Sequence, residues 1–115
     1  MPASDESAAF KQPSTSMVFD WDEFNTAHLA KHEIKHHEAE QVILNRPIDL
    51  GTELRNGEER VVQVGETDTG RILNVVSTSL SDKRVRVVTA WPTKERLRRY
   101  FELFKRNGNA GRTEN

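Results

Sequence analysis

The sequence predicts a small α+β fold with the element order βααβββα, an antiparallel sheet packed against helices. Three observations carry this expectation. A helix with a capping signal and a second segment of helical spacing follow a short β-prone run, three β-branched runs separated by polar turns come next, and an amphipathic stripe closes the chain. With 115 residues one domain is expected, and a domain of this size buries about 65% of its unfolded surface.

Taken in order, residues 1–16 are rich in Ser, Ala and Pro with little to bury, which predicts a disordered tail. Residues 107–115, Asn-Gly-Asn-Ala-Gly-Arg-Thr-Glu-Asn, predict a second, so the folded unit is expected over 17–106. Met17-Val18-Phe19 is the first strand signal, and Asp20 or Asp22 is placed to cap a helix reaching about His32. A second helix is expected from His36 to Leu44, where Ala39, Val42 and Ile43 share a face, and Pro47 ends it. The strands follow at Arg60–Val64, Ile72–Thr78 and Val85–Ala90, joined by a Gly65–Gly70 loop and a turn at Ser81-Asp82-Lys83. Pro92 suits the first turn of a last helix, whose Leu97, Tyr100, Phe101 and Phe104 form a stripe at i, i+3, i+4, i+7 expected to pack on the sheet.

Composition excludes several classes of function. There is no cysteine, so neither a disulfide scaffold nor a Cys-based zinc site is available. No run of about 18 apolar residues exists to span a membrane, and the acidic start Met1-Pro2-Ala3-Ser4-Asp5-Glu6 is no secretory signal. A soluble, cytoplasmic protein without a membrane partner is the expectation. The formal net charge of −1 conceals a division: residues 1–70 hold 6 Lys/Arg against 14 Asp/Glu, and residues 71–115 hold 11 against 4. Such asymmetry points to an anionic partner for the second half, or to an internal match between acidic and basic surfaces.

The order and spacing of several short motifs resemble one family. Trp21-Asp22 followed nine residues later by Lys31-His32, then Ala39, Gly57-Glu58-Glu59-Arg60, Gly65, Gly70-Arg71, Arg84-Val85-Arg86-Val87-Val88-Thr89-Ala90 and Glu95, resemble the BrnT toxins. The similarity runs from about Phe19 to Phe101. It implies a RelE-like fold, a ribonuclease that stops translation, and a small DNA-binding antitoxin that masks the toxin and carries any contact with operator DNA. The chain also departs from the family pattern. Asn25 stands where Lys is usual, His28 where Asn is usual, and Glu33 where Gly follows Lys-His. Thr89-Ala90-Trp91 stands in place of Ser-Ala-Arg, so a phosphate-binding guanidinium is replaced by an indole. Two functions therefore stand side by side: a metal-independent ribonuclease, and a catalytically degenerate module of the same fold that binds a protein partner or RNA.

RNA cleavage without a metal needs a base for the ribose 2′-OH, a cation for the phosphorane and an acid for the leaving oxygen. His32 is the acid–base candidate, because histidine titrates near working pH; its bland alternative is a cap at a helix C-terminus. Lys31 is assigned to the RNA backbone under the same alternative. Glu59 and Arg60 open a strand, as base and transition-state clamp or as charges that blunt pairing. Arg71 completes the catalytic set and lies beside Arg60 if the hairpin register is symmetrical. Arg84 and Arg86 share a strand face and form a phosphate track or a solvated row. Trp91 belongs to the alternation class of Val85, Val87 and Thr89, which makes it a core or lid residue; stacking on an RNA base, worth ~1–3 kcal/mol, is the functional alternative. Arg96, Arg98, Arg99 and Leu103 are assigned to a partner surface on the last helix. His28, His32, His36 and His37 do not form a convincing ligand set, so no metal and no cofactor are assigned.

Overall fold

A computed structural model describes the backbone of residues 17–114 and the side chains of residues 17–106. The expected tail at 1–16 lies outside the described residues. The elements are β1 (Val18–Asp20), α1 (Glu23–Ala30), α2 (His36–Leu44), β2 (Ile48–Arg55), β3 (Glu58–Glu66), β4 (Ile72–Ser81), β5 (Arg84–Pro92) and α3 (Glu95–Glu114). The α+β class is the expected one, but the order is βααββββα. The helical backbone of α3 runs past residue 106, where the folded unit was expected to end. Among the described residues no helix is long and apolar enough to cross a membrane.

One five-stranded sheet, in the order β1-β5-β4-β3-β2, organises the molecule. β2 to β5 form an antiparallel meander, and β1 joins β5 in parallel through Val18–Arg84 to Asp20–Arg86. The strand missing from the sequence expectation is β2. It is an edge strand with most of its residues exposed; Ile48, Leu50 and Leu54 alternate with Asp49, Glu53 and Arg55 in sequence, but the register shift between Asp49 and Gly51 splits that pattern between the two faces. Its turn was a second legible signal. Asn56 and Gly57, at φ 52° and 79°, join Arg55 to its partner Glu58 as a two-residue hairpin loop.

α1 and α2 cover one face. Leu29, Ile34, Ala39 and Val42 pack there against Leu73, Val75, Val87 and Ala90, all buried. Each fully buried Leu or Val of this cluster contributes about 1.5–3 kcal/mol. Gly65 permits the close approach of α2, since a Cβ there would stand 3.1 Å from both Val42 Cγ1 and Pro47 Cβ. On the other face the cover is partial. Phe101 packs with Val64 and Ile72, flanked by Leu97 and Ile48, whereas Tyr100 and Phe104 are 55% and 49% exposed. The expected stripe is thus buried only along its Leu97–Phe101 edge. Pro92 ends β5 opposite Leu73 instead of starting a helix.

Asn25 fixes how α1 meets the sheet. Asp22, not Asp20, is the N-cap: its carboxylate accepts from the N–H groups of Phe24 (2.9 Å) and Asn25 (3.1 Å), while Asn25 Oδ1 accepts from Asp22 N–H (2.8 Å). The amide nitrogen of Asn25, buried to 1% exposure, donates to the carbonyls of Asp20 (3.0 Å) and Val87 (2.9 Å). α1 ends with Ile34 N–H on Leu29 O and Glu33 N–H on Ala30 O, a Schellman arrangement that forces Glu33 to φ 58°.

Ion pairs then consume three expected site residues. Arg86 forks onto Asp22 (2.7 and 3.3 Å), and Arg84 binds Asp20 (3.0 Å). Arg71 Nη1 donates to Glu38 (3.1 and 3.2 Å) and to the Glu33 carbonyl (3.1 Å), bolting the start of β4 to the α1–α2 junction. Arg71 is not beside Arg60: Val61 pairs with Ser77, six residues along from Arg71, a separation of about 20 Å of strand. The hydrogen bond and charge of Arg86 hold the Asp22 carboxyl below its ordinary value, helped by the Asn25 and Phe24 amides. Burial pushes the Glu38 carboxyl up, but the Lys35 amide and Arg71 outweigh it and the net shift is downward.

Three outcomes follow from this framework. Asn25→Ala strands two carbonyls and the Asp22 amide, and is expected to cost about 1–3 kcal/mol in urea unfolding. Glu33→Gly relieves a left-handed backbone and is expected to stabilise by about 0.5–1 kcal/mol, read as a rise in melting temperature. Because the Asp22 and Glu38 carboxyls lie lower in the folded than in the unfolded chain, their contributions are complete above the unfolded values and vanish as pH falls through the folded ones. Denaturation midpoints should therefore hold level down to about pH 5 and decline below about pH 4. Asp22→Asn, which keeps a competent N-cap but not the ion pair, should flatten that acid decline.

Candidate RNA-binding cleft

A β-bulge decides what the uncovered face of the sheet presents. Val76 is opposite Thr89, yet the next residue, Ser77, is opposite Val87, so β5 carries one extra residue at Val88. Val87 and Ala90, three apart, both enter the α1–α2 core. Val88, Thr89 and Trp91 turn to the other side. Trp91 is therefore not in the face class of Val87, as strict alternation predicted; the bulge moves it out of the main core and leaves it half-buried.

Those three residues line a cleft of about 390 Å³ with Val76 on its floor. The end of α1 supplies one wall through His28, Lys31 and His32. Lys31 is the C-cap and His32 follows it, with its backbone N–H on Leu29 O (3.0 Å). The backbone of His32, not its ring, thus serves the helix end, and the exposed side chain opens into the cleft. His28 Nδ1 lies 3.3 Å from the Val88 carbonyl, which seats α1 on the bulge itself.

The opposite wall is Glu53 and Arg55 of β2 with Arg60 of β3. Glu53 and Arg60 are direct cross-strand partners. Arg60 Nε donates to Glu58 Oε1 (2.9 Å), and the guanidinium is held with 24% of the side chain exposed. Among the described residues its two terminal nitrogens have no hydrogen-bond partner. Arg55 donates from Nε to Glu53 (3.1 Å). Lys31, Arg55 and Arg60 thus face one lining carboxylate, so the cleft is cationic and offers a forked donor to an anion.

Four of the expected site residues, Lys31, His32, Arg60 and Trp91, come together here from three separate elements. The others do not. Glu59 is exposed on the opposite side of β3 from Arg60, and its carbonyl accepts from Thr78 Oγ1 (2.9 Å). Arg71, Arg84 and Arg86 are occupied by the carboxylates described above. On α3, Arg98 and Arg99 bind Glu95 (2.6 and 3.2 Å), Leu103 is 54% exposed, and Arg96 lines a different concavity. The histidines have separate tasks: His36 stacks on Trp21 with ring centroids 3.9 Å apart and meets Thr26 Oγ1 at 2.8 Å. Among the described residues no three His, Cys, Asp or Glu side chains are grouped to hold a metal.

Sequence reasoning missed His28, Glu53, Arg55, Val76, Val88 and Thr89 as lining residues. Glu53 and Arg55 were hidden with β2, for which the alternation of Ile48, Leu50 and Leu54 and the Asn56-Gly57 turn were the available signals. For His28 the signal was helical spacing, since it stands three and four residues before Lys31 and His32.

No curated protein matches the sequence. Residues 21–96, about two thirds of the chain and every cleft-lining residue, match the family described as ribonuclease toxin, BrnT, of type II toxin–antitoxin system. The protein belongs to the BrnT family of ribonuclease toxins.

Proposed function

We propose that this BrnT protein cuts RNA in the cleft without a metal, that cutting inhibits translation, and that a small DNA-binding antitoxin neutralises it. One observation carries the proposal: Lys31, His32, Arg60 and Trp91 converge on one cationic cleft. In the reaction the ribose 2′-oxygen attacks the adjacent phosphorus, the bond to the 5′-oxygen breaks, and the products are a 2′,3′-cyclic phosphate and a 5′-hydroxyl. His32 moves a proton at the sugar or the leaving oxygen. Arg60, oriented through its Nε by Glu58, offers its terminal nitrogens to the extra negative charge of the phosphorane. Lys31 holds the flanking backbone, and Trp91 stacks a base. The antitoxin carries any operator contact, and the pair acts in the cytoplasm.

The indole at position 91, in place of the family's guanidinium, favours a second function. A cleft that stacks a base and grips phosphate without cutting is a binding module. Inducing the protein alone in bacterial cells distinguishes the two. Growth arrest with discrete new RNA 5′-ends on primer extension is expected, with cleavage reduced about 100-fold in Arg60→Ala. Cleavage by the purified protein should survive EDTA. Unimpeded growth with folded protein and intact RNA would overturn the nuclease, and recovery of arrest by Trp91→Arg would identify a degenerate toxin.

A further inference from the structure

On the far side of Trp91 from the cleft lies a second, larger concavity of about 690 Å³ between β2 and the start of α3. Its lining is mainly apolar: Leu50, Val62, Leu97 and Tyr100 stand with Trp91 around one buried polar residue, Asn74. Leu50 is 42% and Tyr100 55% exposed. The apolar surface continues beyond the groove, because Phe104 stacks on Tyr100 at 6.4 Å and Leu103 is as exposed as they are. A contiguous patch of this kind marks a surface that is covered when a partner binds.

The rim adds a sign. Lys94 and Arg96 border the groove, and among the described residues neither has an acidic partner. The neighbouring cations differ: Arg98 and Arg99 are paired with Glu95, and Lys105 with Glu66. The groove therefore combines an unpartnered apolar floor with uncompensated positive charge. RNA suits it less well: a nucleotide would find Trp91 and Tyr100 to stack on, but it would leave the aliphatic Leu50, Val62 and Leu97 without an apolar counterpart. A second copy suits it poorly too, because a two-fold contact would bring the same two cations of each copy into one small interface.

We propose that this groove receives an acidic amphipathic segment of a partner protein, with apolar side chains in the groove and carboxylates on Lys94 and Arg96. The inference rests on the toxin–antitoxin proposal for the existence of such a partner, and not on RNA cleavage. Because Trp91 walls both cavities, filling the groove covers one side of the residue that forms the end of the cleft.

The probe is a synthetic helical peptide of about four turns, with Leu at i, i+3, i+4 and i+7 and Glu on both flanks. A scrambled peptide of the same composition is the control. Titrated into the full chain labelled with nitrogen-15, the helical peptide should saturate and shift the Trp91 indole resonance while leaving that of Trp21 in place. Affinity should fall at least tenfold in Lys94→Glu/Arg96→Glu and in Tyr100→Ala, and Tyr100→Ala, which alters no charge, should leave the binding of an RNA oligonucleotide unchanged. Equal binding of the scrambled peptide, absence of saturable binding, or an unmoved Trp91 would overturn the proposal. So would a concentration-dependent dimer of the free chain that Tyr100→Asp abolishes, which would assign the face to a second copy. Peptide binding of the expected kind by a protein that fails to cut RNA would remove the nuclease proposal alone.

Discussion

The extra residue at Val88 is the constraint on which the functional side of the molecule depends. A strand that alternated strictly from Val87 onward would send Thr89 and Trp91 into the helix-covered core and turn Ala90 outward. The bulge reverses this within one residue, so that Ala90 fills the core and Trp91 divides two cavities on the other face. A bulge leaves backbone groups out of the ladder, and α1 takes up two of them: Asn25 donates to the Val87 carbonyl, and the His28 ring meets that of Val88. The helix that bears Lys31 and His32 is thus fastened to the irregularity that exposes Trp91. Positioning of the cleft's two sides is one structural event.

The charge division along the chain has a largely internal meaning. Asp20 pairs with Arg84, Asp22 with Arg86, Glu38 with Arg71 and Glu66 with Lys105, each joining the acidic first part to the basic second part. Solvent-exposed pairs of this kind add little stability individually. Their consequence is selective neutralisation. Once they are formed, the uncompensated cations among the described residues include Lys31 and the outer nitrogens of Arg60 in the cleft, and Lys94 and Arg96 at the groove. The bulk excess of positive charge in the second half does not describe the charge of the cleft and groove; the residues left over from pairing do.

Asn25 and Glu33 show how the fold accommodates two locally demanding positions. Asn25 is a buried connector with four hydrogen bonds, a task that needs an amide able to donate and accept at once. Glu33 occupies a left-handed position that glycine takes without strain, and holds it because the end of α1 and the start of α2 are fixed on either side. Trp91 has the opposite character, since its side chain faces the two cavities. It gives the cleft an aromatic face at the end of β5, where it pairs in register with Asn74.

Much of this protein is determined by local chemistry that a single sequence displays. The Asp22 cap, the His36–Leu44 helix with its buried Ala39 and Val42, and the β-branched runs of β3, β4 and β5 follow from side-chain preference and spacing. Their order, with the Lys31-His32 and Glu59-Arg60 motifs, also carried the family. What escaped was every feature that depends on a distant partner. β2 does alternate in sequence, Ile48, Leu50 and Leu54 against Asp49, Glu53 and Arg55, but it is short of β-branched residues and its register shifts at Leu50, so it was passed over and Glu53 and Arg55 vanished with it. The fate of each arginine turned on which carboxylate the fold brought within reach, since Arg60 and Arg71 look equivalent in the chain yet one lines the cleft and the other bolts two helices to β4. The face of Trp91 was set by a single inserted residue, and alternation has no means of registering such a shift until the neighbouring strand is present to define it. Periodicity and capping are written within a few residues, whereas register, ion pairing and exposure are properties of segments that meet only in the folded molecule.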